Sequence, residues 1–348
     1  MPIARLRRAL TLAALVVSPA AAQGAGAGTL VVVNKADATA SLIDLASGDP
    51  YATIPTGDAP HEVAVSPDGR WAVISNYGSN EAPGSTLSVI DLKAAKAQET
   101  IHLLPHRHPH GLAWLPDGQH LVVTTEQDSA VLIVSVFTGA VDAVIHTSQN
   151  TSHMVVLSPD AKRAYVANIG SSSVTMIDLT SDRAVWTTPL PDGPEGMDVS
   201  PDGGELWIAS RKANRITVVG AQKLDTLATV KASEFPIRVK FTPDGSRVLV
   251  TLARSSELKI FDAKSRKEIK TIKLKVERSI KTGSRQAEGY ESSTVPIGLV
   301  ISPDGKTAFV ANTGYDVVTM IDIDKGDVTG YLPSGREPDG LAISSLKK

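Results

Sequence analysis

The chain contains no cysteine. That absence excludes disulfides, thiolate zinc sites, iron–sulfur clusters, cysteine-ligated copper and covalently attached c-type haem. Any metal must be taken by imidazole, carboxylate or carbonyl oxygen. Aromatic residues make up 4% of the 348 residues and methionine only five, so the broad aromatic or Met-rich lining of a noncovalent haem pocket is missing. No long apolar run occurs after residue 22, which leaves no candidate membrane-spanning helix. Net positive charge is also lacking. Without the three arginines of the first 22 residues, the 35 Lys and Arg fall to 32 against 37 Asp and Glu, a net charge near −5. A sequence-independent grip on nucleic-acid phosphates needs a clustered positive surface. The best patch, Lys264 to Lys275, alternates as an exposed outer strand does, so nucleic acid is not an expected partner. A Gly-rich phosphate loop, a nucleophile elbow and a His-Glu-x-x-His helix are all absent.

What is present begins with an address. Arg5, Arg7 and Arg8 precede the apolar run Ala9 to Val17, and Pro19 is followed by Ala20-Ala21-Ala22. This is the layout of a secretory signal, so residues 1–22 are expected to be removed from a periplasmic or secreted protein. With no Cys after the small residues a lipoprotein anchor is excluded. Residues 23–28 read as a flexible leader, and 29–348 as one domain.

That domain is repetitive. Pro67-Asp68-Gly69, Pro116-Asp117-Gly118, Pro159-Asp160-Ala161, Pro201-Asp202-Gly203, Pro243-Asp244-Gly245 and Pro303-Asp304-Gly305 recur at spacings of 49, 43, 42, 42 and 60 residues. Proline presets the first turn angle, Asp caps the turn and Gly supplies a positive dihedral, so each motif marks a tight link between strands. A β-rich run follows each turn, for example Trp71 to Ser75 and Leu206 to Ala209, then a loop and a second run such as Val174 to Asp178. Four short strands in about 42 residues is the period of a propeller blade. Thr29 to Val33, Ala40 to Asp44 and Tyr51 to Ile54 read as a blade lacking its first strand, and Gly340 to Ser344 as that strand. Pairing them closes the ring and hides a sheet edge. The expected fold is all-β: a seven-bladed β-propeller with four antiparallel strands per blade, closed by the C-terminal strand joining the N-terminal blade.

Tyr165-Val166-Ala167-Asn168 and Phe309-Val310-Ala311-Asn312, each followed by a Gly-containing loop and then by Val174 to Asp178 or Val318 to Asp322, resemble the YVTN family of β-propeller repeats. The resemblance spans the domain and implies its fold. Such propellers host binding proteins, lyases, lactonases and redox partners alike, so it assigns no catalytic residue.

The starts of the seven innermost strands form one alignable column: Pro60-His61-Glu62, Pro109-His110-Gly111, Ser152-His153-Met154, Pro194-Glu195-Gly196, Pro236-Ile237-Arg238, Pro296-Ile297-Gly298 and Pro338-Asp339-Gly340. Proline withholds a donor and Gly permits close backbone approach, which puts the middle residue at one mouth of the central channel. In ring order that residue is Asp339, His61, His110, His153, Glu195, Ile237 and Ile297. Eight histidines spread evenly would put about 0.2 in such a column; three are present. His61, His110 and His153 are therefore expected to converge on one divalent transition metal, zinc or copper with iron a further option, and Glu195 or Asp339 to act as fourth ligand or base. The blander expectation is a water-filled mouth whose histidines bond neighbouring carboxylates without a metal.

Three functions are consistent with that column: binding, storage or delivery of the metal; a metal-dependent oxidoreductase or hydrolase with Glu195 or Asp339 as general base; or a metal-free scaffold that takes a ligand or another envelope protein on its loop-rich face. Around the column, Glu126, Arg211 and Arg254 follow second strands and are placed to rim the same mouth. His106 and His108 alternate with His110 in what reads as an exposed loop. About 18 extra residues within 275–295, carrying Arg278, Lys281, Arg285, Glu288, Tyr290 and Glu291, leave from the same face and suggest a lid or partner loop.

Overall fold

Strands that are apolar on both faces must be covered on both sides. The second strands of the repeats have this character: Leu30 to Val33, Leu121 to Val123 and Leu206 to Ala209 are all buried. The computed structural model describes residues 27–276 and 293–348. The signal-like segment 1–22, residues 23–26 of the leader and residues 277–292 of the insertion lie outside the described residues, as do all six of the insertion residues named above.

The described residues form seven four-stranded antiparallel sheets. Blade 1 is the closing blade: Pro338–Ser344 pairs with Thr29–Asn34, followed outward by Thr39–Asp44 and Pro50–Pro55. The innermost strands of blades 2 to 7 are Pro60–Val65, Pro109–Trp114, Ser152–Leu157, Pro194–Val199, Pro236–Phe241 and Pro296–Ile301. Among the described residues the one helical element is a single 3-10 turn, Lys35–Asp37.

The core is divided by the ring into seven apolar clusters, one between each pair of neighbouring blades. Alternation along one strand serves two of them. Val31 and Val33 face blade 2, whereas Leu30 and Val32 face blade 7. The Asn of the repeat motif ties strands within a blade. Asn168 Nδ2 donates to Ser173 and Thr175 hydroxyls at 3.1 and 2.9 Å, and Asn34, Asn76 and Asn312 make equivalent bonds. The Pro-Asp-Gly turns join first to second strands, with Ser66 Oγ donating to Asp68 at 2.5 Å and Gly69 at φ 77°.

Candidate ligand site at the channel mouth

The main chain builds this site before any side chain contributes. The residue just before each innermost strand, Ala59, His108, Thr151, Gly193, Phe235, Val295 or Glu337, has a left-handed conformation, with φ between 43° and 76°. An irregularity in the ladder follows in each case, for example between Pro60 and Val63 and between Ser152 and Met154. Such a bulge re-aims the side chains inside it, and the column residue lies within it in every blade. Where Gly takes the third place, the next blade comes close: a Cβ on Gly111 would stand 2.8 Å from the His153 carbonyl. Hydroxyls of second strands hold these carbonyls, Ser75 donating to His110 O at 2.9 Å and Thr251 to Ile297 O at 3.2 Å.

A second ring lies outside the first. The amides of Lys35, Tyr77, Glu126, Ile169, Arg211, Ala253 and Thr313 each donate to the carbonyl of the left-handed residue of their own blade, or for Lys35 to that of Glu337, at 2.8–3.2 Å. Six of these residues follow the second strands directly and Tyr77 lies near the end of its own, Trp71–Gly78, so both rings are set by backbone geometry. All seven column residues and the first five of the outer ring line one cavity of about 300 Å³, together with Thr151 and Arg238. Its lining has two sectors. Blades 1 to 5 supply the imidazoles and most of the charges, whereas blade 7 supplies Ile297 and blade 6 supplies Ile237 with Arg238 next to it.

His153 lies at the centre of the polar sector. Its Nδ1 bonds Glu126 and its Nε2 bonds Glu195 at 2.8 Å. Burial works to lower its pKa, but the Glu195 and Glu126 carboxylates outweigh burial and hold it up to about 9. Glu195 is buried too, which would raise its pKa. His153, Arg211 at 2.5 Å and Arg238 at 3.7 Å instead bring it down to about 2. Glu126 also accepts from the Tyr77 hydroxyl at 2.6 Å. His61 and His110 are of the opposite kind. Burial lowers His61 to about 4 against the pull of Asp339, and drives His110 well below the usual histidine range with help from the charge on His153. Both are therefore neutral. His61 uses Nδ1 on the Ala59 carbonyl at 2.9 Å, leaving Nε2 free, and its ring centroid lies 5.2 Å from that of His110, which is 3.7 Å from His153.

A group whose pKa is raised on folding stabilises fully below its unfolded value and progressively less as pH rises through the folded one. In chelated protein, His153 is expected to contribute roughly 3 kcal/mol below about pH 6.5, fading as pH passes about 9. Urea melts from pH 6 to 10 should show this decline and His153→Gln should lack it. Parallel profiles would mean that the imidazolium does not titrate as described.

The structure brings His61, His110, His153, Glu195 and Asp339 around one cavity, but the tightest set of donors differs from the expected trio. One ligating atom each from His110, Glu126 and His153 lies within 4.8 Å of the others. Glu126 takes the place expected of His61, whose ring is held against Tyr77 with centroids 4.5 Å apart. Glu195 is occupied by His153 and two arginines, whereas Asp339 keeps a buried Oδ1 without a partner among the described residues. Arg211 lines the cavity as expected; Arg254 is absent from the lining and stacks 4.7 Å from the Phe235 ring centroid. The reading of His106 and His108 as exposed needs correction. His108 is buried, bonds the Tyr77 carbonyl at 3.1 Å and stacks on the Tyr77 ring, and His106 pairs with Asp128.

Lys35, Tyr77, Glu62 and Arg238 were not singled out from the sequence. Lys35 and Tyr77 occupy the same repeat position as Glu126 and Arg211, which was a usable signal. Glu62 and Arg238 stand in the third place, where four blades have Gly. They form an ion pair between blades 2 and 6, and so across the channel. Burial pushes Glu62 up to about 7 with Arg238 opposing.

A closed ring of seven four-stranded blades with a ligand-sized cavity at one channel mouth defines the protein as a seven-bladed β-propeller. Residues 117–230 match the YNCE-like beta-propeller family. Similar solved structures include the hydrazine synthase of Kuenenia stuttgartiensis, at 20% identity and TM-score 0.68 over 81% of this chain and 88% of that one. Another is a functionally unknown protein of Desulfotomaculum acetoxidans, at 16% identity and TM-score 0.73 over 91% and 99%. At these identities the likeness is one of fold. No curated protein matches the chain. Among the described residues no helix is long and apolar enough to cross a membrane.

Proposed function

We propose that this propeller is exported, to the periplasm or beyond, and binds a divalent transition metal, zinc or copper, at its channel mouth for storage or delivery. The observation that carries this reading is the grouping of His110, Glu126 and His153 donors within 4.8 Å, beside a His61 that burial keeps neutral. Neutral imidazole is the ligating form. In this arrangement His153 would ligate through Nδ1 while Nε2–H remains on Glu195, the carboxylate–histidine support that orients metal-bound imidazoles. The signal-like segment Met1 to Ala22 supports export, and proteins of the envelope handle these metals.

Protein purified without chelator is expected to carry about one equivalent of metal by elemental analysis, and zinc titration should show one tight site. His110→Ala and His153→Ala should abolish it. Glu195→Gln should weaken it by about 10–100-fold. Metal-free protein that takes up no zinc would overturn the reading.

Two alternatives use the same residues. A metal-dependent oxidoreductase or hydrolase would draw its base from Asp339, because Glu195, at about 2, is a weak proton acceptor. A metal-free ligand or protein site is favoured by one specific observation, that both ring nitrogens of His153 are already satisfied by carboxylates. Turnover by the metal-loaded protein supports the first, and absence of stoichiometric metal the second.

A further inference from the structure

Among the described residues, most charges at the channel mouth are in ion pairs. Glu62 pairs with Arg238, and Glu126, His153, Glu195 and Arg211 form one continuous chain of ion pairs. Blade 1 contributes the remaining two charges, Lys35 from the outer ring and Asp339 from the inner, and among the described residues neither makes an ion pair. Asp339 is only 5% exposed, yet among the described residues its Oδ1 has no hydrogen-bond partner. A buried acceptor left unsatisfied is costly, and half-buried Lys35, on the lining of the same cavity, adds a cation without an ion-pair partner. Next in the ring after blade 1 stands Ile297, then Ile237, the apolar positions of the column, with Arg238 of blade 6 committed to Glu62 and Glu195.

We infer that the cavity takes a small zwitterionic amino acid with an aliphatic side chain. Its ammonium donates to Asp339, its carboxylate accepts from Lys35, and its side chain lies against Ile297 and Ile237. The volume of about 300 Å³ suits a ligand of this size. A simple anion would bring its charge beside Asp339, and a simple cation would bring its charge beside Lys35. A zwitterion satisfies both without changing the net charge of the site. The inference rests on blades 1, 6 and 7 and not on the metal reading, although both use the same cavity.

Calorimetric titration of chelator-treated protein with L-leucine, 4-methylpentanoate and isopentylamine provides the test. The second compound lacks the ammonium and the third lacks the carboxylate. Leucine should bind about tenfold or more tightly than either, since each lost contact is charge-assisted. Asp339→Asn should remove most of the preference over 4-methylpentanoate, and Lys35→Met most of the preference over isopentylamine. No leucine binding, or 4-methylpentanoate binding as tightly as leucine, would overturn the inference even if both variants failed to fold. A zinc titration of the same preparation separates the two readings: leucine binding without zinc uptake sustains this inference and sinks the metal reading, whereas zinc uptake without leucine binding does the reverse.

Discussion

Deleting Gly340 to Lys348 is expected to abolish cooperative folding. The segment supplies most of the innermost strand of blade 1, which is registered on Thr29, Leu30, Val31 and Val32 through Ser344, Ile343, Ala342 and Leu341. Leu341 and Ile343 pack into the cluster shared with blade 7, and Ala342 into the one shared with blade 2. Ser344 Oγ donates to Gly69 O in blade 2 at 2.5 Å, and the Thr29 hydroxyl to Leu346 O at 3.0 Å. Lost ladder bonds and exposed apolar surface sum to roughly 5–10 kcal/mol, comparable with the whole stability of an ordinary domain. The truncation also bares a long apolar edge at Thr29–Asn34, which invites aggregation. Circular dichroism melts and gel filtration should show a lost transition and high-mass material. A truncated chain that melts like the intact one would mean that ring closure contributes little.

Arg238→Met is expected to cost about 3–5 kcal/mol at neutral pH. The guanidinium is buried and serves Glu62 across the channel and Glu195 beside it. Without it, both carboxylates stay buried with reduced compensation. Burial already lifts Glu62 to about 7 with the arginine present, and removing Arg238 raises it further. A carboxyl with a raised folded pKa stabilises below its unfolded value and loses that contribution as pH rises through the folded one. The variant should therefore regain stability as pH falls toward about 4.5, where unperturbed Glu titrates. Adding Glu62→Leu should recover much of the loss at neutral pH, because a buried pair replaced whole by apolar groups is often tolerated. Urea midpoints of the single and double variants measure both effects. An Arg238→Met protein as stable as the parent at pH 7 would show that the pair is dispensable.

How far the residues themselves reveal the site depends on the range of the interaction that places them. The blades are legible because Pro67-Asp68-Gly69 and its copies are local turn chemistry repeated at nearly constant spacing. The column from His61 to Asp339 is legible because proline and glycine flank it. Glu62 and Arg238 meet only after the ring has closed, 176 residues apart, and nothing local to either marks the encounter. Only their departure from glycine in the third place hints at it. The alternation His106, His108, His110 reads as exposure, but Tyr77 stands between His61 and His108 and covers the latter. The grouping of Glu126 with His110 and His153 depends on the register of the outer ring. That register comes from amide bonds to left-handed residues, which side-chain identity alone barely signals.

Those left-handed residues and bulges have a consequence for how such a protein changes over time. Because main-chain bonds alone aim every position of both rings, a substitution at His61, Ile237 or Lys35 alters what the mouth recognises while the threading of the ring stays intact. Outside the linked Glu126, His153, Glu195 and Arg211, the mouth behaves as a set of sockets on a common frame. Swapping an occupant outside the ion-pair chain, such as Ile237, is a small step in stability but a large one in chemistry, so descendants of one ancestral ring can diverge in ligand long before they diverge in shape.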